Sequence, residues 1–198
     1  MLVYHSWSRN KYLDLFDRLP MEVLTRKRGS TFESIWDVHL HVLGVYCAWL
    51  WGYFGQKRLQ WIVDILETDV HTVRQLRDIN QGLDAAAQAV ASNLGPDEFD
   101  HRRPASESGP WSQRMVTPRE VLWHLIEEDF LHHGEILCML WQDDIEPPYT
   151  GVWWFEYDRL PDRFGHLWYA DPSGPRPSLG GYLKQPPPGP ESSDSART

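Results

Sequence analysis

Residues 117–135 read Thr117-Pro118-Arg119-Glu120-Val121-Leu122-Trp123-His124-Leu125-Ile126-Glu127-Glu128-Asp129-Phe130-Leu131-His132-His133-Gly134-Glu135, and this stretch decides the fold. It opens with a threonine able to cap a helix. A proline follows at the first helical position, where its missing N–H is no loss, and a glutamate at the third can reach back to the cap. At about 100° per residue, Val121, Glu128, His132 and Met139 fall on nearly one line, flanked by Leu125 and Ile136. The spacing predicts one long amphipathic helix to about Trp141, ended by Glu146-Pro147-Pro148.

Three further helices are predicted N-terminal to it. The first covers about Tyr4 to Leu19, with Trp7, Tyr12, Leu15, Phe16 and Leu19 at near-helical spacing and Pro20 closing it. The second is announced by the capping pattern Ser30-Thr31-Phe32-Glu33 and runs through Val38, Val42, Val45 and Trp49 to a C-cap at Gly55. The third covers Asp69 to Leu94, closed by Gly95-Pro96, with a short helix over Leu59 to Leu66 leading into it. Residues 95–116 read as loop. Four long helices in 198 residues predict an all-α antiparallel four-helix bundle over residues 1–148. Residues 149–170 form an aromatic extension expected to pack back on the bundle. Residues 171–198 hold seven of the 15 prolines and read as a partly disordered tail.

Composition narrows the function. A net charge of −9 argues against binding phosphate backbones, and Arg26-Lys27-Arg28 is too short a cluster to change that. The longest apolar stretch, Val42 to Phe54, is too short for a bilayer span. Met1-Leu2-Val3-Tyr4-His5-Ser6 has neither the basic start nor the apolar run of a secretory signal. Cys47 and Cys138 sit among apolar residues and read as reduced core thiols, so a cytoplasmic location is expected. Eleven tryptophans call for a deep core or an aromatic-lined pocket.

Chemistry concentrates on the last helix. Glu128 and His132 are four apart and can grip one ion from one face, but so can Asp129 and His133, which sit deeper in the apolar arc. His124, four residues before Glu128, is placed to support that residue from the same face. The second helix offers a third ligand in His39 or His41, which lie about 160° apart and cannot both face one ion. A di-iron bundle needs two Glu-x-x-His motifs and two more carboxylates, which this chain lacks. The zinc-protease motif, the nucleophile elbow, the Walker loop and the dinucleotide-binding turn are absent too.

Three segments together resemble the DinB-like (YfiT-like) superfamily of four-helix metal-binding proteins. They are Tyr4-His5-Ser6-Trp7-Ser8-Arg9-Asn10, then Ser34-Ile35-Trp36-Asp37-Val38-His39-Leu40-His41-Val42-Leu43-Gly44, and His124 through Leu140 with its exit Ile145-Glu146-Pro147-Pro148. The resemblance spans roughly residues 4–148. It implies a metal site made by His41, Glu128 and His132, where Glu128 replaces the family's more frequent histidine. It also implies one divalent ion per chain, zinc first, with nickel, iron or manganese as alternatives, since a carboxylate moves preference toward harder ions. His124 or Glu135 would orient a ligand, and Gly44 would let a neighbouring helix approach closely.

The function that follows is a metal-dependent transferase or isomerase activating a low-molecular-weight thiol at an open coordination position. Trp7, Trp36 and Trp123 are candidates for the pocket wall. A hydrolase using metal-activated water and a non-catalytic metal-binding or stress-response protein are the alternatives. The expected partners are a small-molecule substrate and a second copy of the chain in a homodimer, with no nucleic acid and no membrane.

Overall fold

A computed structural model describes residues 2–29, 31–68, 70–106, 112–151 and 155. Four long helices dominate: α1 (Leu2–Phe16), α3 (Ile35–Ala48), α5 (Val73–Asn93) and α6 (Pro118–Gln142). Shorter helices α2 (Met21–Thr25) and α4 (Gln60–Thr68) link them. The main packed pairs are α3 with α6 and α1 with α5. Contacts of α3 with α5 and of α1 with α6 close the bundle.

α6 begins as its sequence dictates. The Thr117 hydroxyl accepts from Glu120 N at 3.1 Å, and the Glu120 carboxylate accepts from Thr117 N at 2.7 Å, with Pro118 in the first turn. α5 has the same reciprocal cap at Thr72 and Gln75, so it starts later than the expected Asp69. α1 ends at Phe16 rather than Leu19. Tight i→i+3 turns, Arg18 N to Leu15 O and Leu19 N to Phe16 O, unwind it ahead of Pro20, which N-caps α2.

The cap of α3 is Ser34, not the expected Ser30–Glu33 box. Ser34 has extended backbone (φ −139°, ψ 163°) and its hydroxyl accepts from Asp37 N at 3.1 Å. Beyond Ala48 the helix widens into a π turn, Trp49–Tyr53, which Gly55 terminates at φ +64°, a conformation that favours glycine. A 3₁₀ turn, Lys57–Leu59, then leads into α4. Within the expected loop 95–116, two short antiparallel strands pair: β1 (Arg103–Pro104) and β2 (Met115–Val116). Two residues give no alternation from which to read a strand.

The core is apolar and contributed by all four long helices, with Leu13, Phe16, Val38, Leu43, Leu83, Leu125 and Ile136 fully buried. Two sequence expectations change here. A Cβ at Gly44 would meet nothing within 4 Å, so no neighbouring helix approaches closely there. The tight approach is at Gly82 instead, where a Cβ would lie 3.0 Å from the Trp61 ring. Cys47 is buried as expected, but Cys138 is exposed, so it is not a core thiol.

The Tyr4 hydroxyl donates to Thr150 O at 2.5 Å, and the Phe155 ring meets Tyr4 and Trp7 at 5.5 and 5.4 Å. The rest of the aromatic extension, residues 152–154 and 156–170, and the whole 171–198 tail lie outside the described residues. Among the described residues, no helix is long and apolar enough to cross a membrane.

Candidate metal centre

Packing α3 against α6 decides which histidine of each helix faces the other. His39 turns into the core, in an edge-to-face contact with Phe16 at 5.3 Å between ring centroids. His41, on the opposite side of α3, meets α6 with its side chain 34% exposed. From α6, Glu128 and His132 face it. Oε2 of Glu128 lies 3.3 Å from Nε2 of His41 and 3.2 Å from Nε2 of His132. Ligand atoms of all three lie within 4.8 Å of one another, which makes them the metal-competent cluster among the described residues.

The surroundings orient these groups. Nδ1 of His132 lies 3.1 Å from Glu135 Oε2, which assigns the proton to Nδ1 and leaves the Nε2 lone pair toward Glu128. The other Glu128 oxygen, Oε1, lies 3.6 Å from His124 Nε2. Phe32 stacks on His41 at 4.3 Å and presents its edge to His132 at 5.2 Å, while Trp49 backs His124 at 5.7 Å. Burial, then the neighbouring His132, pull the pKa of His41 below its usual value, against the opposing pull of Glu128. A neutral imidazole is the form that can coordinate.

The donor set fits a divalent ion. Two ligands about 2.0–2.1 Å from one tetrahedral ion stand about 3.3–3.4 Å apart, and the two Glu128–imidazole separations of 3.3 and 3.2 Å match that spacing. Oε2 of Glu128 is buried and meets no hydrogen bond of acceptable geometry, while both imidazole Nε2 atoms lie within ion-pair reach of it. A buried carboxylate oxygen between two imidazoles is costly unless a positive charge joins it.

The rival pair, Asp129 and His133, belongs to a different cluster. Its closest atoms, Asp129 Oδ1 and His133 Nε2, are 4.0 Å apart. Asp129 Oδ2 already accepts from Arg9 at 2.6 Å and from Tyr46 at 2.7 Å, with His5 Nδ1 at 3.1 Å. Burial would raise the pKa of Asp129, but Arg9 and these donors overrule it and hold the group at about 2. The Arg9 guanidinium beside it repels a second cation.

The expected tryptophans do not wall the metal cluster. Trp36 is core, Trp7 packs on Phe155, and Trp123 is 56% exposed beside a groove of about 830 Å³ with Leu2, Val3, Ala91 and Phe99. Phe32 and Trp49 take that place. Arg9 is a buried residue of the first helix to which no sequence motif assigns a role. Its signal is positional: Arg9 stands on the same helical stripe as Tyr12, Leu13 and Phe16.

A four-helix bundle carrying a two-histidine, one-carboxylate cluster between adjacent helices defines a class of candidate metal-binding bundle proteins. The chain belongs to the DinB family, whose family model matches residues 1–163. A comparison with curated proteins finds no match.

Proposed function

We propose that this DinB-family chain binds one divalent ion through His41, Glu128 and His132 and uses it as a transferase or isomerase that activates a low-molecular-weight thiol. The observation that carries the reading is the bare Glu128 Oε2 held at ligand spacing from two imidazole Nε2 atoms. Three protein ligands leave at least one coordination position for a small molecule, as catalytic sites require. The chemistry such an ion supplies is Lewis acidity, which makes a thiol or a water molecule more acidic.

The chain's own residues do the rest. Glu135 fixes the tautomer of His132, and Phe32 covers one side of both imidazoles. His41 and His124, at 34% and 39% side-chain exposure, mark the side from which a substrate enters. One carboxylate with two neutral imidazoles leaves a divalent ion one net positive charge, enough to attract a thiolate. Zinc suits this set first. The carboxylate also admits nickel, iron or manganese.

The test is metal analysis of purified protein followed by a panel of thiols with a generic electrophile. Metal-dependent thiol consumption supports the reading. Consumption of an ester or amide without thiol makes the protein a hydrolase instead, and stoichiometric metal with neither activity makes it a non-catalytic metal-binding protein. The free Cys47 and Cys138 support a cytoplasmic setting. The half-exposed Trp123, Phe130 and Trp141 on α6 support a homodimer, and light scattering that returns a monomer at micromolar concentration would remove it.

A further inference from the structure

We infer that Asp129 is a positioning residue for the metal centre, an inference that rests on the reading of His41, Glu128 and His132 as ligands. A single oxygen of its carboxylate fixes the rotation and register of α6 against α3, so that Glu128 and His132 meet His41.

Asp129 Oδ2 is held from two helices at once. Arg9 and His5 reach it from α1, at 2.6 and 3.1 Å, and the Tyr46 hydroxyl reaches it from α3, at 2.7 Å. Tyr46 stands five residues after His41 on the helix that supplies the third ligand. Arg9 continues the tie into α5, donating through Nε to Asn80 Oδ1 at 2.7 Å and pairing with Asp84. Through Arg9, all four long helices join one network around the buried Asp129 carboxylate. A second hold lies one turn on: Ser8 Oγ is 3.2 Å from His133 Nδ1, and Tyr12 packs on the His133 ring at 4.4 Å.

Glu128 and Asp129 are consecutive, as are His132 and His133. Each held residue therefore lies about 100° around α6 from a ligand. Side-chain atoms sit about 5–6 Å from a helix axis, so a 20° rotation of α6 would carry Glu128 Oε2 about 2 Å. Metal ligation tolerates about 0.2 Å. The apolar neighbours Leu125 and Ile136 cannot supply that precision alone, because apolar packing is non-directional and adjusts to small shifts. Hydrogen bonds into one buried oxygen are directional, and a wrong rotation leaves a charge unpaired.

The test compares Asp129→Asn and Tyr46→Phe with Leu83→Ala, a core truncation on α5 that leaves the Asp129 network intact. Each variant is titrated with Co²⁺, reading affinity by competition and ligand geometry by the visible absorption band. The inference expects about tenfold or greater loss of affinity and an altered band in both network variants. Leu83→Ala should lower thermal stability while keeping the wild-type band. Wild-type affinity and band in Tyr46→Phe and Asp129→Asn would overturn the inference, as would equal losses in Leu83→Ala. Should Asp129→Asn fail to fold, Tyr46→Phe, which keeps the buried ring, decides alone. A crystal structure of metal-free Tyr46→Phe gives a readout independent of metal. A change of about 1 Å or more in the separation of Glu128 Oε2 from His41 Nε2 is expected, and an unchanged 3.3 Å overturns the inference. Failure of the wild-type chain to bind Co²⁺ would instead sink the ligand reading, leaving positioning to be decided by that separation.

Discussion

Oε2 of Glu128 lies 3.3 Å from Nε2 of His41 across the interface between α6 and α3, two residues 87 positions apart in sequence. The second imidazole, His132, comes from one turn further along α6, so its orientation depends on what holds its far nitrogen. That partner is Glu135, at 3.1 Å from Nδ1. Glu135→Ala is expected to weaken metal binding about tenfold while stoichiometry stays unchanged, because the ligand remains but its tautomer and ring orientation are no longer fixed. Competition against a chromophoric chelator reads this directly, and unchanged affinity would remove Glu135 from the account.

Stability of the metal-free chain should fall steeply in acid. Burial first, then His133 and Arg9, hold His39 at about 3, with Asp129 pulling the other way. Burial holds His133 at about 4, helped by Arg9, His5 and His132 and opposed by Asp129. Both folded values lie below the roughly 6.5 of an unfolded histidine, so the unfolded chain binds more protons between them. The stability is full above about pH 6.5 and is lost as pH falls toward 4 and then 3, by about 1.4 kcal/mol per pH unit for each histidine. Asp129, held at about 2, adds a further loss below about pH 4. Urea midpoints should hold level from pH 7.5 to about 6.5 and decrease from there to 4.5, and a flat profile over the lower range would contradict the buried, neutral state of these histidines.

Much of this fold is legible in the sequence because its helices announce themselves locally. Thr117-Pro118 with Glu120 caps α6 as written, and its apolar period runs unbroken to its end. The start of α3 is harder, since Ser30 with Glu33 and Ser34 with Asp37 satisfy the same cap spacing. The helix takes its cap from the second, where Ser34 has extended backbone. On the wheel, Glu128 with His132 and Asp129 with His133 are equally good grips. What separates them is Arg9, a partner 120 residues away that commits Asp129 to the interior. No local pattern carries that contact. Cys138 shows the opposite case: it follows buried Ile136 by two residues and so lies about 160° around the helix, facing solvent. Its apolar sequence neighbours mislead where the wheel does not.

Arg9 should be the most sensitive buried residue in the bundle. Its guanidinium neutralises Asp129 and Asp84 at once, whereas the Tyr46, Ser6 and Asn80 side chains that also donate to them carry no charge. Arg9→Met keeps much of the side chain's bulk but strands those charges, with an expected loss of about 3–5 kcal/mol. Chemical denaturation at neutral pH measures it. A loss below about 1 kcal/mol would show that the buried network rearranges freely and does not pin the helices.

His41, Glu128 and His132, and not their neighbours on α6, are expected to hold a divalent ion. Metal analysis of the purified wild-type chain beside His132→Ala and His133→Ala tests it most directly. About one ion per chain is expected in the wild type, none in His132→Ala, and about one in His133→Ala. Metal retained by His132→Ala and lost from His133→Ala would place the site on the other face of α6, away from His41 and Glu128.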